Sequence, residues 1–359
     1  MHICLEYIWL GKQCDLRSKT KVVPLQDVYH FNNLNESPKF IFENLESWNY
    51  DGSSTGQAKG KESEVCIIPR AVFNDPFRGD LHKLILCDTY TPGGEPHESN
   101  TRAKAVANFS VRPDTKPWYG LEQEYFLMKR FDSGVVRSIG FNENGQAISG
   151  NPQGQYYCSV GANNAYGRKI VEQHLKCCLN AGVKISGINA EVAPGQWEFQ
   201  VGPCEGIDAG DHLWIARYIL QIVAEPFGIC VDFEPKPIDG DWNGSGCHAN
   251  FSTLQMREEG GDKYIKDAIT ALSKNHTEHM SVYGTGNELR MTGGHETSSY
   301  NEFSAGVADR GCSVRIGNKT KAEKKGYFED RRPSSNCDPY LVTSKLYETI
   351  VVNNTQIID

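Results

Sequence analysis

The sequence predicts an α+β protein, with a small strand-rich domain ahead of a larger domain built around one sheet. Three observations carry this expectation. The chain has 359 residues, enough for a sizeable core and for two domains. Short stretches with period-two alternation recur along it, the pattern of strands with one buried face. The turn cluster Thr91-Pro92-Gly93-Gly94-Glu95-Pro96 interrupts the chain, and beyond it strand-like and helix-like stretches alternate. The boundary is expected after that cluster, giving domains 1–96 and 97–359.

In the first domain, residues 3–10 and 83–90 read as strands. Between them, Trp48 to Gly56 reads as a long polar loop. The second domain shows three helices. In 168–181, Val171, Leu175, Cys178 and Leu179 recur at helical spacing, and Gly182 supplies a stop. In 211–228, Asp211 is the expected cap, and apolar residues on nearly every side predict burial. In 262–280, Asp262 is the expected cap and Ile265, Ile269 and Leu272 form the stripe. Residues 131–155 and 283–300 lack periodicity and read as loops.

The composition bounds the function. A hydrophobic fraction of 39% and a charged fraction of 23% are those of a soluble globular protein, and a net charge of −8 argues against a general nucleic-acid binder. No apolar run approaches the roughly 18 residues of a membrane span. The opening Met1 to Glu6 has no basic region and no signal-like apolar core; a cytoplasmic location is expected from the cysteine usage that follows. Twelve cysteines follow no spacing framework and include no Cys-x-x-Cys pair; reduced, mostly buried thiols are expected.

Four segments concentrate acidic and imidazole groups on one side of strand-like alternation. In the strand through 120–128, Glu122 and Glu124 share a face with Phe126, while Leu121, Tyr125 and Leu127 take the other. Carboxylates two residues apart lie roughly 6–7 Å from each other, a spacing that suits bridged metals; a solvated strand face would show the same alternation. Glu191 and Glu198 flank Pro194-Gly195, the turn of an expected hairpin, with Glu198 alternating against Trp197 and Phe199. A polar hairpin edge is the alternative. His248, Asn250 and Ser252 fall on one face, opposite Cys247, Ala249 and Phe251; a lone core histidine is the competing reading. Glu329 and Arg331 share a face in 327–332, Arg315 lies in a second alternating stretch, and Arg310 precedes it. Arginines beside such carboxylates suit bidentate holding of carboxylate or phosphate, or else a structural ion pair.

Five carboxylates and one imidazole converging on one space would repel one another unless divalent metal filled it. A metal site for a phosphorylated substrate is therefore expected. His276-Thr277-Glu278-His279 lacks the i,i+4 histidine pair of a zinc-protease helix, and His276 is expected to be structural. There is no P-loop signature and no nucleophile elbow.

Seven long motifs occur in order: WNYDGSSTGQA at 48–58, DTYTPGGEP at 88–96, WYGLEQEY at 118–125, SGINAEVAPGQWEFQVGP at 186–203, GDWNGSGCHANFST at 240–253, TGGHETSSYNEFSAGVADRG at 292–311, and GYFEDRRPSSNCDPYLVTS at 326–344. On these the chain resembles glutamine synthetase of the eukaryotic type, over about residues 5–347. The resemblance implies a β-grasp-like N-terminal domain and a catalytic domain with a curved antiparallel sheet flanked by helices. It implies ATP-dependent ligation of ammonia to L-glutamate through γ-glutamyl phosphate, at a site holding two Mg²⁺ or Mn²⁺ ions. It also implies a homo-decamer of two five-membered rings, with sites between neighbouring subunits.

By the same resemblance, Glu124, Glu191 and Glu198 would hold one metal and Glu122, His248 and Glu329 the other. Asn250, Ser252, Arg315 and Tyr327 would contact the nucleotide. Asp241, Trp242, Arg290, Arg310 and Arg331 would line the glutamate and phosphate site. Glu296 would sit on a flap that closes over it. Asp51 would draw a proton from ammonium, its loop with Ser54 serving the adjacent subunit. Ligation of glutamate to another amine, or a catalytically silent ring protein, are the competing readings; a silent relative would have lost ligands, and all six positions are filled here. The chain departs from the family's pattern at Gly294, where relatives carry a larger residue, in the loop 131–155, and in a short leading segment.

Overall fold

Strand β1 (His2–Leu10) organises the first sheet, because its alternate residues Ile3, Leu5, Tyr7 and Trp9 are all buried in one apolar cluster with Ile67, Ile85 and Cys87. It pairs antiparallel with β2 (Leu16–Pro24) and parallel with β7 (Lys83–Tyr90). β6 (Glu64–Asn74) and β5 (Trp48–Asp51) complete the order β2-β1-β7-β6-β5, and β3 (Tyr29–His30) pairs with β4 (Lys39–Phe40) apart from it. The computed structural model describes residues 1–30, 38–294 and 296–354. The chain packs as two units, Met1–Lys104 with Cys177–Val183, and Ala105–Lys176 with Lys184–Asp359.

The second unit holds a nine-stranded sheet. Its main path is β10 (Ile185–Ala190), β11 (Gln196–Glu205), β8 (Trp118–Arg130), β13 (Cys247–Ser252), β16 (Phe328–Asp330), β15 (Val314–Ile316) and β14 (Ala305–Val307). β9 (Val136–Ser138) and β12 (Ile229–Asp232) pair with the far half of β8. One face of the central strands is apolar and buried: Leu121 and Tyr125, Trp197, Phe199 and Val201, Cys247, Ala249 and Phe251, Val314 and Phe328. The Asp208–Ala224 helix is buried around nearly its whole circumference and packs on β11 and on the Pro339–Tyr347 helix. That last contact needs Gly210, where a Cβ would stand 2.4 Å from the Tyr340 ring. The α+β class therefore holds, with an N-terminal sheet and a larger curved sheet flanked by helices. Among the described residues no helix is long and apolar enough to cross a membrane, and all twelve cysteines are free thiols, seven of them buried.

Several local expectations are corrected. Residues 48–51 form strand β5 rather than a loop. The aromatic residues at alternate positions, Trp48 and Tyr50, pack on Tyr7 and Trp9 with ring centroids 5.6 and 4.6 Å apart, while Asn49 and Asp51 face out. The stretch 131–155 contains β9, brought back onto β8 by a turn in which Phe131 N–H donates to the Val135 carbonyl at 2.8 Å. Asp211 does not cap its helix. The helix begins at Asp208, and Asp211 is buried in the first turn, accepting from Tyr340 O–H at 2.6 Å. Asp262 is the first helical residue, after Gly261 as cap, and pairs with Lys266 at 2.7 Å. The expected 262–280 helix is two, Asp262–Lys274 and His276–Met280. Asn275 breaks it by turning its side-chain amide onto the Ala271 carbonyl at 2.8 Å.

Candidate active site

Strand register assembles the site. Glu198 of β11 stands directly opposite Glu124 of β8, and Gln200 opposite Glu122. On the other side of β8, His248 stands opposite Glu122. Asn250 of β13 then faces Glu329 of β16, which in turn faces Arg315 of β15. Because side chains alternate across a strand, this one register places all of them on the face away from the apolar core. Glu191 joins from the tight connection between β10 and β11, where Gln196 N–H donates to the Ala193 carbonyl at 3.1 Å. Its carboxylate is aimed by Asn189 Nδ2 at 2.9 Å and by Val192 N–H at 3.2 Å.

One cavity is lined by Glu122, Glu124, Glu191, Glu198 and His248, with Arg290, Arg310, Arg315, Arg331 and Glu296 around them. The His248 ring reaches three carboxylates: Nδ1 is 3.6 Å from Glu122 and 3.4 Å from Glu329, and Nε2 is 3.8 Å from Glu124. Glu329 also accepts from Arg331 Nη1 at 2.8 Å and from Arg315 Nε. One ligand atom each from Glu122, His248 and Glu329 lies within 4.8 Å of the others, a grouping that could hold a cation.

Charge is unevenly balanced across this cavity. Burial, followed by repulsion from Glu122 and Glu124, pushes the Glu198 carboxyl up to about 8. Burial with Glu124 and Glu198 close by pushes Glu191 up as well. Two unit charges about 4 Å apart repel by roughly 4 kcal/mol at an effective dielectric of 20, so this end of the cavity favours neutral carboxyls or added positive charge. At the other end burial also pushes Glu329 up, but His248, Arg331 and Arg315 outweigh it and hold the carboxyl at about 2. Burial and Arg331 push His248 down, while Glu122, Glu329 and Glu124 outweigh them and bring it to about 9.

Glu296 is held from two sides. Arg331 Nη2 donates to its carbonyl at 3.2 Å, and Arg310 Nη1 to its carboxylate at 3.4 Å. Its φ of +60° is the left-handed conformation that side chains seldom adopt, and such strain gathers at switch segments. Arg290 is buried and donates to the carbonyls of Arg331, Arg332 and Pro333; burial brings its guanidinium down to about 10.

A second cavity, of about 490 Å³, contains Asn250, Ser252 and Tyr327 together with Trp118 and Arg257. Glu122 lines both cavities, so they meet at β8. The Arg257 guanidinium lies 4.0 Å from the Trp118 ring centroid and donates to the Ser252 hydroxyl at 2.9 Å.

Not every expected residue joins. Asp241 and Trp242 line neither cavity. Trp242 is packed against Phe141 with centroids 5.0 Å apart, and its neighbours Asn243 and Gly244 line the first cavity instead. Asp51 belongs to the first unit. It is exposed, and hydrogen bonds from Ser53 and Ser54 hold its carboxyl at about 2. His276 is structural as expected: its ring bridges the Tyr300 carbonyl at 2.9 Å and Arg332 at 3.1 Å. Tyr157, which lines the first cavity, escaped the sequence reading because it lies in an aperiodic stretch. Trp118 and Arg257 escaped it too, although Trp118 opens the WYGLEQEY motif.

Residues 100–350 match the family model described as glutamine synthetase, catalytic domain. Over 355 residues the chain is 54% identical to a chloroplastic/mitochondrial glutamine synthetase of Arabidopsis thaliana, covering 98% of this chain and 78% of that protein. It is 52% identical over 354 residues to the cytosolic isozyme 1-3 of glutamine synthetase from Arabidopsis thaliana, covering 98% and 95%. It is also 52% identical over 356 residues to the glutamine synthetase nodule isozyme of Medicago sativa, covering 98% and 94%.

Proposed function

The chain belongs to the glutamine synthetase family, and from that membership we propose that it joins ammonia to L-glutamate with ATP, through γ-glutamyl phosphate. The observation that carries this reading is the convergence of Glu122, Glu124, Glu191, Glu198 and His248 with four arginines on one cavity, with Glu329 joined to it through His248, Arg315 and Arg331.

The donor set fits divalent cations. Carboxylate oxygens with one imidazole suit Mg²⁺ or Mn²⁺, and the raised carboxyls of Glu191 and Glu198 lie where positive charge is wanted. Glu124, Glu191 and Glu198 would hold one ion, and Glu122, His248 and Glu329 a second. Bound there, the ions supply charge neutralisation and alignment for phosphoryl transfer.

The side chains do the rest. A carboxylate resists attack because it is anionic and has no good leaving group. A γ-carboxylate oxygen of glutamate attacks the γ-phosphorus of ATP, and the bond to the ADP oxygen breaks. Arg310, Arg315 and Arg331 hold the phosphoryl oxygens and the substrate carboxylates, a role in which one arginine is worth about 10³–10⁵ in rate. Asn250, Ser252 and Tyr327, with Trp118 and Arg257, hold the nucleotide in the second cavity. Ammonia then attacks the activated carbonyl carbon, the C–O bond to phosphate breaks, and the departing phosphate or solvent takes up the nitrogen's extra proton. Asp51, ionised across the physiological range, attracts ammonium from a neighbouring subunit. Taking its proton requires loosening of the bonds from Ser53 and Ser54. Glu296 and its loop keep water from the acyl phosphate.

From the same family resemblance we propose a decamer of two five-membered rings, in which Asp51 would serve a neighbour's site. We also propose a cytoplasmic location; the relatives include cytosolic and chloroplastic forms. The test is glutamine formation that requires ATP, ammonium and a divalent cation, with glutamate omitted as control. Phosphate release without glutamine in the complete mixture would overturn the ligase assignment.

A further inference from the structure

Between the two site carboxylates of β8 lies Gln123, whose side chain points to the opposite face and is fully buried. Its Oε1 accepts two bonds from one guanidinium, Arg217 Nε at 2.8 Å and Arg217 Nη2 at 2.6 Å. Arg217 stands in the middle of the Asp208–Ala224 helix and is 2% exposed. It also donates to the carbonyls of Ser335 and Cys337, each at 2.9 Å, and, together with the Cys247 thiol, it lowers the pKa of the Cys337 thiol. All of its oxygen acceptors are neutral. Burying a cation on neutral acceptors is costly unless it fixes something the fold needs.

The partners show what is fixed. Gln123 Nε2 donates to the Glu124 carbonyl at 2.8 Å and to Ser335 Oγ at 2.8 Å, and Ser335 Oγ donates to the same Glu124 carbonyl at 2.6 Å. The Glu124 N–H and carboxylate are tied in turn to Gly246, whose N–H donates to Glu124 Oε2 at 2.8 Å. Trp214 and Phe233 enclose the guanidinium, 4.7 and 5.3 Å from its centre. One arginine thus locks the backbone of β8 against the 335–337 segment at the point where Glu122 and Glu124 leave the strand.

We propose that Arg217 is a positioning residue that sets the placement of Glu122 and Glu124 for divalent-cation binding, acting through Gln123 and Ser335. This rests on the reading of those carboxylates as cation ligands. Groups bonded directly to metal ligands typically contribute about 10–100-fold to metal affinity; Arg217 acts one bond further back, so the lower end of that range is expected.

The test is Mn²⁺ binding to the full-length protein without ATP or glutamate, followed by paramagnetic resonance of the free ion. It compares wild type with Arg217→Met, Arg217→Lys and Ser335→Ala. The expected result is a dissociation constant about tenfold or more weaker for Arg217→Met. Arg217→Lys keeps the charge but not the fork, so it should fall between Arg217→Met and wild type, and Ser335→Ala should weaken binding by about threefold. A merely structural arginine would lower the number of folded sites and leave the affinity of each unchanged. Variants binding within about twofold of wild type, at whatever occupancy, overturn the proposal. Should Arg217→Met fail to fold, Arg217→Lys and Ser335→Ala decide by the same criterion. A wild type that binds no Mn²⁺ refutes the ligand reading itself, a different and distinguishable failure.

Discussion

Glu329 and Asp330 are neighbours on β16, both buried, and they live in opposite electrostatic worlds. Asp330 faces the back of the sheet. Arg332 grips it with Nε at 2.9 Å and Nη2 at 2.6 Å, and Tyr283 O–H adds a bond at 2.7 Å. Burial pushes that carboxyl up, yet Arg332 outweighs it and keeps it below the ordinary range. His279, bonded to Tyr283 O–H at 2.7 Å and Thr349 Oγ1 at 2.8 Å, closes the network. Glu329 shares His248 with Glu122 and Glu124 and belongs to a cluster in which Glu191 and Glu198, among the described residues, have no arginine or lysine in an ion pair and are pushed up by burial and by their neighbouring carboxylates. A buried charge whose every valence is met is architecture. A cluster left short of positive charge is a site awaiting its ligand.

The comparison breaks most sharply by substitution. Glu329→Ala is expected to reduce glutamine formation to background while far-ultraviolet circular dichroism stays that of wild type; retained turnover would remove Glu329 from the cation site. Asp330→Ala should do the reverse in kind. It strands a buried guanidinium and is expected to cost about 3–5 kcal/mol in denaturant unfolding, with or without divalent cation. A loss below about 1 kcal/mol would show that the back-face pair is not structural.

The pH dependence sharpens the same contrast. The folded-state carboxyl of Glu198 is raised from 4.5 to about 8, so its contribution is complete below pH 4.5 and lost as pH rises through about 8. The His248 imidazole is raised from 6.5 to about 9, so its contribution is complete below pH 6.5 and lost as pH rises through about 9. Both losses overlap between about pH 6.5 and 8 in the cation-free protein. The increase in melting temperature on adding Mn²⁺ should therefore be larger at pH 8.5 than at pH 6; an equal increase at both would contradict the picture of a cluster short of positive charge.

The smallest expected effect concerns Gly294. A Cβ there would meet only Thr292 Oγ1, at 3.7 Å, so Gly294→Ala fits without strain. It should stabilise the folded chain by no more than about 1 kcal/mol. If this loop shields the acyl phosphate as proposed, the substitution should also lower phosphate release in the absence of ammonium; increased release would show that Gly294 serves that shielding rather than weakening it.

Much of the cavity face was legible because it is written in alternation. Glu122 and Glu124, Glu198, and His248 with Asn250 each announce a strand with one polar side, and the register of β11, β8, β13 and β16 does the rest. The back face was not legible. Arg217 sits in the middle of a helix with no periodic signature of its own, and its partners Gln123 and Ser335 are 212 residues apart. Asn275 broke a helix through one side-chain bond that hydrophobic spacing does not record. Trp242, which the family resemblance sets beside Asp241 at the glutamate site, packs its ring on Phe141, a contact that no spacing rule records. Periodicity reports which side a residue faces; it does not report which distant segment it will meet there.

The most direct test of the central claim is anomalous diffraction at the manganese edge from crystals grown with Mn²⁺ and a non-hydrolysable ATP analogue. The account expects two peaks, one among Glu122, His248 and Glu329 and one among Glu124, Glu191 and Glu198, with the analogue's phosphates beside both. A well-ordered crystal with no manganese among these six side chains would contradict it.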